Sequence, residues 1–87
     1  MKYRVEVLPK AADVIRKLDP SVKKRIVIRI NWLSEHLDML PHQMLTGSFK
    51  GMFKNRMGDY RILYSIDRQQ GIMFVHKVGH RRDVYDE

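Results

Sequence analysis

Lys54, Arg56 and Arg61 lie within the stretch Phe53 to Tyr64, FKNRMGDYRILY, where two alternating runs meet at Gly58-Asp59. Alternation sends every second side chain of a strand to the same face, so a hairpin closed at Gly58-Asp59 gathers these three cations on one face of a sheet. Like charges on neighbouring strands repel, and between Lys50 and Arg82 eight Lys/Arg stand against two Asp. A cluster of that sign without matching acids reads as an anion site. The chemistry it suits is phosphoryl transfer, in which guanidinium and ammonium groups stabilise charge on the phosphate oxygens. A second run near the C-terminus, Val78 to Tyr85 (VGHRRDVY), carries the same residue types, and continuing the strand alternation brings Arg81, with Tyr85 beyond it, to the side of Arg61 and Lys77.

Four histidines are the acid–base candidates: His36, His42, His76 and His80. Two histidines can cleave RNA by removing the 2′-hydroxyl proton and protonating the 5′ leaving oxygen. Strand parity sends His76 to the core, while His36 and His42 fall near a helix end and a loop, so only His80 is placed beside the cations. Along an extended strand His76 and His80 would stand about 13 Å apart, too far to share one metal ion. Tyr85, beside Arg81 and Arg82, is the other proton-transfer candidate, because neighbouring cations favour phenolate; an aromatic anchor for the tail is the alternative role. The loop Gly47 to Gly51 lacks the phosphate-loop pattern, no nucleophile–base arrangement is visible, and neither a cofactor nor a metal is expected.

The elements that must position these residues are legible from periodicity. Tyr3, Val5 and Val7 alternate with polar residues as in a half-buried strand, and Pro9 ends it. Ala11, Val14, Ile15 and Leu18 follow helical spacing, then Asp19-Pro20 reads as a cap and first-turn proline opening a second helix whose stripe is Val22, Ile26, Ile30, Leu33 and Leu37. Its other face carries Lys23, Lys24, Arg25 and Arg29, either a solvated surface or a contact for a ribosome or an acidic partner. Pro41 to Met52 reads as loop with a short strand near Met44-Leu45. Three strands follow: Phe53 to Met57, Tyr60 to Ile66, and Ile72 to Val78, the last two joined by a hairpin loop at Asp67 to Gly71. Parity puts Phe53, Met57, Tyr60, Ile62, Tyr64 and His76 inside, and Lys54, Arg56, Arg61 and Lys77 on the open face.

The 87 residues make a single domain over 1–87 of class α+β: an N-terminal strand, an antiparallel helical hairpin, then a three-stranded antiparallel meander completing a small sheet. No run approaches the roughly 18 apolar residues of a membrane span, and MKYRVEV lacks a signal-peptide core, so a soluble, cytoplasmic protein is expected. The absence of cysteine excludes disulfides and thiolate metal sites. Seventeen basic residues against ten acidic ones give a field that draws in polyanions.

The segments GDYRILY (58–64) and VGHRRDVY (78–85) resemble the signatures of the RelE branch of the RelE/ParE toxin superfamily, and the likeness extends over nearly the whole chain. It includes the opening strand, the first-helix pattern A-x-x-x-I-x-K-L-D from Ala11 to Asp19, the long second helix, and a leucine-glycine region that reads Leu45-Thr46-Gly47. The resemblance implies the toxin of a type II toxin–antitoxin system: a ribosome-dependent endoribonuclease that cuts A-site mRNA by 2′-hydroxyl attack on the adjacent phosphate. By motif, Arg61 and Arg81 match the phosphate-binding arginines, Lys54 and Arg56 the preceding basic pair, and Tyr85 the C-terminal tyrosine that stacks on substrate or helps transfer a proton. Lys50, Lys77, His80 and Arg82 complete the expected RNA contacts. Arg56 departs from the lysine of relatives and cannot act as base, because a guanidinium stays protonated. The resemblance further implies a cognate antitoxin as partner, beside the ribosome and mRNA, and a toxin–antitoxin hetero-oligomer that binds operator DNA through the antitoxin. The alternatives are a ParE-like binding toxin that inhibits gyrase, and an inactive toxin retained for antitoxin-linked autoregulation.

Overall fold

Alternation at the N-terminus produces the strand β1 (Arg4–Val7), and Pro9 then opens α1 (Pro9–Lys17), where a missing N–H costs nothing. The computed structural model describes residues 2–40, 43–44 and 51–82. Asp19 is the N-cap residue of α2 (Pro20–His36), as the Asp-Pro pair predicts, but its side chain makes no capping hydrogen bond. A 3₁₀ turn at Leu37–Met39 ends the helical region. The strands β2 (Gln43–Met44), β3 (Phe53–Met57), β4 (Tyr60–Asp67) and β5 (Ile72–His80) follow. The expected short strand near Met44-Leu45 is thus β2, one residue earlier; Leu45 lies outside the described residues.

The strands form one mixed sheet in the order β1-β5-β4-β3-β2. Three consecutive antiparallel pairings make the meander, and β1 returns to lie parallel against β5, with Val5 opposite Met73. The fold class is the one the sequence predicts. Two glycines close the hairpins: Gly58 at φ +59° and Gly71 at φ +69° adopt the left-handed region that side chains disfavour. Gly58 is the first residue of a two-residue turn between Met57 and Tyr60, the glycine position of a type II′ hairpin.

The core lies between the helices and one sheet face. Ile26, Ile30, Leu33 and Leu37 of the predicted α2 stripe pack with Met57, Ile62, Tyr64, Met73, Val75 and Val78. In α1 only Ala11 is buried; Val14, assigned to the stripe by spacing, is 38% exposed. The N-terminal end is tied down by a polar cluster in which the Tyr3 hydroxyl and Arg68 Nη1 each donate to Asp38 Oδ1 at 2.8 Å.

The parity of β5 departs from expectation. Leu63 pairs with Lys77 but Tyr64 pairs with Val75, so an irregularity between Leu63 and Tyr64 leaves His76 as the extra residue on β5. Met73 and Val75 therefore join the helix-side core, and His76, which unbroken alternation assigns there, does not. A bulge inverts which side chains face the core on its two sides, and unbroken alternation cannot foresee it.

Leu33 is fully buried whereas Ile28 on the same helix is 57% exposed. Leu33→Ala is expected to lower the unfolding free energy by about 2–5 kcal/mol. Ile28→Ala should stay within about 0.5 kcal/mol of the parent. Urea unfolding followed by the fluorescence of the single tryptophan measures both.

Candidate active site

The Gly58-Asp59 turn organises the cationic face. Because Met57 and Tyr60 close the two-residue turn, Arg56 and Arg61 form the next cross-strand pair. That is a non-hydrogen-bonded pair, the kind whose Cα atoms approach to about 4.5 Å. Two arginines directly opposed are destabilising unless something anionic joins them. The neighbouring row on this face is Lys54, Leu63 and Lys77, across β3, β4 and β5. On β5 the residue opposite Arg61 is Gly79, which adds no side chain beside the guanidinium.

Arg61 is only 8% exposed, although parity assigns it to the open side. Its Nη1 donates to the Gly58 carbonyl at 3.0 Å and to the Tyr60 carbonyl at 3.1 Å. These contacts curl the guanidinium back over the turn and fix its direction. Among the described residues no carboxylate pairs with it: the ion pairs are Arg4–Glu6, Arg16–Asp13 and Arg68–Asp38, none of which includes Arg61. A buried cation that meets only carbonyl dipoles among the described residues suits an anion.

Arg81 reaches the same turn from β5, its backbone N–H donating to the Asp59 carbonyl at 2.7 Å. The adjacent carbonyls of Gly58 and Asp59 thus hold the side chain of Arg61 and the backbone of sequence-distant Arg81. Lys54 and Lys77 are half-buried, while Arg56, Arg81 and Arg82 are exposed. Lys50 and Tyr85 lie outside the described residues, as does His42.

The histidines fall differently from their predicted places. His80 pairs with Tyr60, and the two rings meet edge to face at 5.8 Å, so register puts His80 on the side of Tyr60 and Ile62 rather than that of Arg61. His80 Nδ1 also accepts the Arg82 backbone N–H at 3.3 Å. His76, expected in the core, is half-buried and joined to Ser65 through Oγ and Nε2 at 2.7 Å. Ser65 shares the parity of Arg61 and Leu63, so His76 belongs to the far side of the same face. Burial lowers the His76 pKa below its usual value. Tyr64, in the helix-side core and so across the sheet from the cationic face, has its phenol pushed up to about 12 by burial. Among the described residues no group of His, Asp and Glu could hold a metal ion.

Sequence reasoning missed the Ser65–His76 pair and an arginine–tryptophan contact on α2, where Arg29 Cζ lies 5.9 Å from the Trp32 ring centroid. The second was available as an i, i+3 spacing. The first depends on the bulge in β5.

A family model described as the ParE toxin of the type II toxin–antitoxin system parDE matches residues 5–85. No curated protein matches the sequence. Among solved structures, the RelBE2 toxin–antitoxin complex from Mycobacterium tuberculosis aligns with TM-score 0.80 and 28% identity, over 93% of this chain and 100% of the other. The isolated E. coli RelE toxin aligns with TM-score 0.75 and 19% identity, over 90% and 83%. The archaeal RelE–RelB complex from Pyrococcus horikoshii aligns with TM-score 0.74 and 20% identity, over 97% and 100%. At the identities of the last two, the likeness is one of fold.

With its pKa lowered by burial, His76 takes up a proton at lower pH in the folded chain than its ordinary 6.5 in the unfolded one. Between those values the unfolded chain binds more protons, so this contribution to stability is intact above pH 6.5 and lost as pH falls through the lowered value. Urea midpoints measured from about pH 8 down to about pH 5 should fall less steeply for His76→Gln than for the parent.

Proposed function

The chain belongs to the family of ParE toxins of type II toxin–antitoxin systems, with the fold of the RelE toxins, and from that premise we propose that it is a ribosome-dependent endoribonuclease. The observation that carries this reading is the pairing of buried Arg61, without a carboxylate partner among the described residues, with Arg56 across one turn, with the backbone of Arg81 held at the same turn. Such an array suits a phosphate that gains charge as it reacts.

In the reaction, the 2′ oxygen of an A-site nucleotide attacks the adjacent phosphorus. The bond to the 5′ oxygen breaks, leaving a 2′,3′-cyclic phosphate on one fragment and a 5′-hydroxyl on the other once that oxygen takes a proton from water. Arg61 and Arg81 stabilise the non-bridging oxygens, and Arg56 adds charge from the strand opposite Arg61. Lys54, one row away, orients the 2′-hydroxyl and in its neutral form accepts its proton. Tyr85, carried over by motif, stacks on the substrate. Lys50, Lys77 and Arg82 supply further RNA contacts, whereas His80, expected beside them, sits with Tyr60 on the other side of the sheet. The ribosome presents the mRNA in a reactive geometry, so the toxin needs to add mainly charge and position. No cofactor is required.

An antitoxin is the proposed protein partner, by analogy with the toxin–antitoxin complexes among the structural relatives. A segment with acidic groups over the cationic face and apolar ones on exposed Val7, Val27 and Ile28 would silence the toxin. The resulting hetero-oligomer would bind operator DNA through the antitoxin. For the chain itself, no helix among the described residues is long and apolar enough to cross a membrane, and action on ribosomes places it in the cytoplasm.

The ParE description of the matching family favours a second reading, inhibition of gyrase without cleavage of RNA. Mapping nucleic-acid ends after brief induction separates the two: cuts in phase with codons support the nuclease, and breaks in DNA support the gyrase inhibitor. Primer extension on programmed ribosomes should show Arg61→Ala slowed about 100-fold or more with its thermal unfolding preserved. Full activity in a folded Arg61→Ala protein would refute the assignment. In single-turnover cleavage the rate should rise with pH for the parent, and that rise should vanish in Lys54→Ala.

A further inference from the structure

A second cationic surface lies on α2, across the sheet from Arg61. A cleft of about 400 Å³ is lined by Arg25, Ile28, Arg29, Trp32 and Met57. That size falls in the range of small-ligand sites, roughly 300–1,000 Å³. Its apolar residues are unusual for a solvated helix face: Ile28 is 57% exposed and Trp32 42% exposed. The aromatic side is organised. His36 stacks on Trp32 with ring centroids 4.4 Å apart and 19° between planes, its Nδ1 lies 2.7 Å from the Trp32 carbonyl, and the Arg29 guanidinium stands 5.9 Å from the indole centroid. Arg29 is further held by donating to Asn55 Oδ1 at 3.3 Å. No acidic side chain lines the cleft among the described residues.

We propose that this cleft is a binding site for single-stranded nucleic acid, taking one unpaired base against Ile28, Met57 and Trp32 with the flanking phosphates on Arg25 and Arg29. Charge selects a polyanion, and the exposed apolar and aromatic lining selects one that carries planar, weakly hydrated faces. An acidic peptide satisfies the first condition but leaves the flat apolar lining unused. The cleft also adjoins the turn that carries the reactive face. A Cβ placed on Gly58 would lie 4.0 Å from Arg25 Nη2, and the carbonyl of the same glycine accepts from Arg61. A strand rounding the turn would meet both surfaces. The proposal stands independently of RNA cleavage, because the cleft shares no side chain with the proposed catalytic set.

Trp32 is the only tryptophan, so its fluorescence reports the cleft directly. The probe is a ten-residue oligothymidylate, which has no 2′-hydroxyl and so cannot undergo the proposed cleavage. Saturable quenching is expected in the parent. Arg25→Gln with Arg29→Gln should weaken binding at least tenfold and reduce the slope of log K against log salt by about 1.4, the loss of two phosphate contacts. Ile28→Glu, at an exposed position that the fold does not need, should weaken binding by a similar factor, so a folding defect in the arginine pair would not leave the question open. An abasic oligomer should bind at least tenfold more weakly and leave the emission unchanged. Equal binding of the abasic oligomer, equal quenching by a glutamate decamer, or unchanged affinity in the variants would each overturn the proposal.

Discussion

The cationic face depends on the carbonyls of Gly58 and Tyr60 accepting from Nη1 of Arg61. Without them, a guanidinium this deeply buried would be an uncompensated charge. The tether in turn depends on the turn itself. Gly58 at φ +59° points its carbonyl where Arg61 can reach it, and the neighbouring Asp59 carbonyl holds the backbone of Arg81. One tight turn therefore orients the Arg61 guanidinium and holds the backbone of Arg81, far away in sequence. Precision of this kind suits charge stabilisation, since donors that are already oriented need not reorganise as charge develops.

β4 is the strand that makes this possible. It lies between β3 and β5, and Arg61, Ile62, Leu63 and Tyr64 are all buried. Ile62 and Tyr64 pack against the helices, whereas Leu63 is fully buried yet stands outside that cluster. The face across the sheet from the helices is thus not merely a solvated surface. Low exposure around Arg61 strengthens its interaction with any anion that reaches it, and the same desolvation lowers the His76 pKa farther along that face.

α2 has two separate roles on its two sides. Ile26, Ile30 and Leu33 anchor it to the sheet, and that burial leaves its outer side free to carry groups that do nothing for folding. On that side, arginines, an indole and an imidazole form a ladder along the helix axis at i, i+3 and i+7 spacing. A domain with net charge +7 sustains this load because the charges are divided between opposite sides of the sheet, which limits their mutual repulsion.

Alternation and helical spacing by themselves determined the element order, the fold class, the α2 stripe and the hairpin at Gly58-Asp59. All of these follow from local periodicity and from the conformations that glycine and proline allow. Parity also placed Lys54, Arg56 and Arg61 together correctly, because a two-residue turn leaves no freedom of register. Only the tertiary structure decided three things. The extra residue His76 in β5 moved Met73 and Val75 into the core and sent His76 to Ser65. The parallel return of β1 against β5 is a pairing between chain ends that no local pattern encodes. The burial of Arg61 and its carbonyl partners depends on how the turn folds back on itself. In each case the deciding contact is a packing or hydrogen-bond choice made in three dimensions, which residue types and spacing leave open.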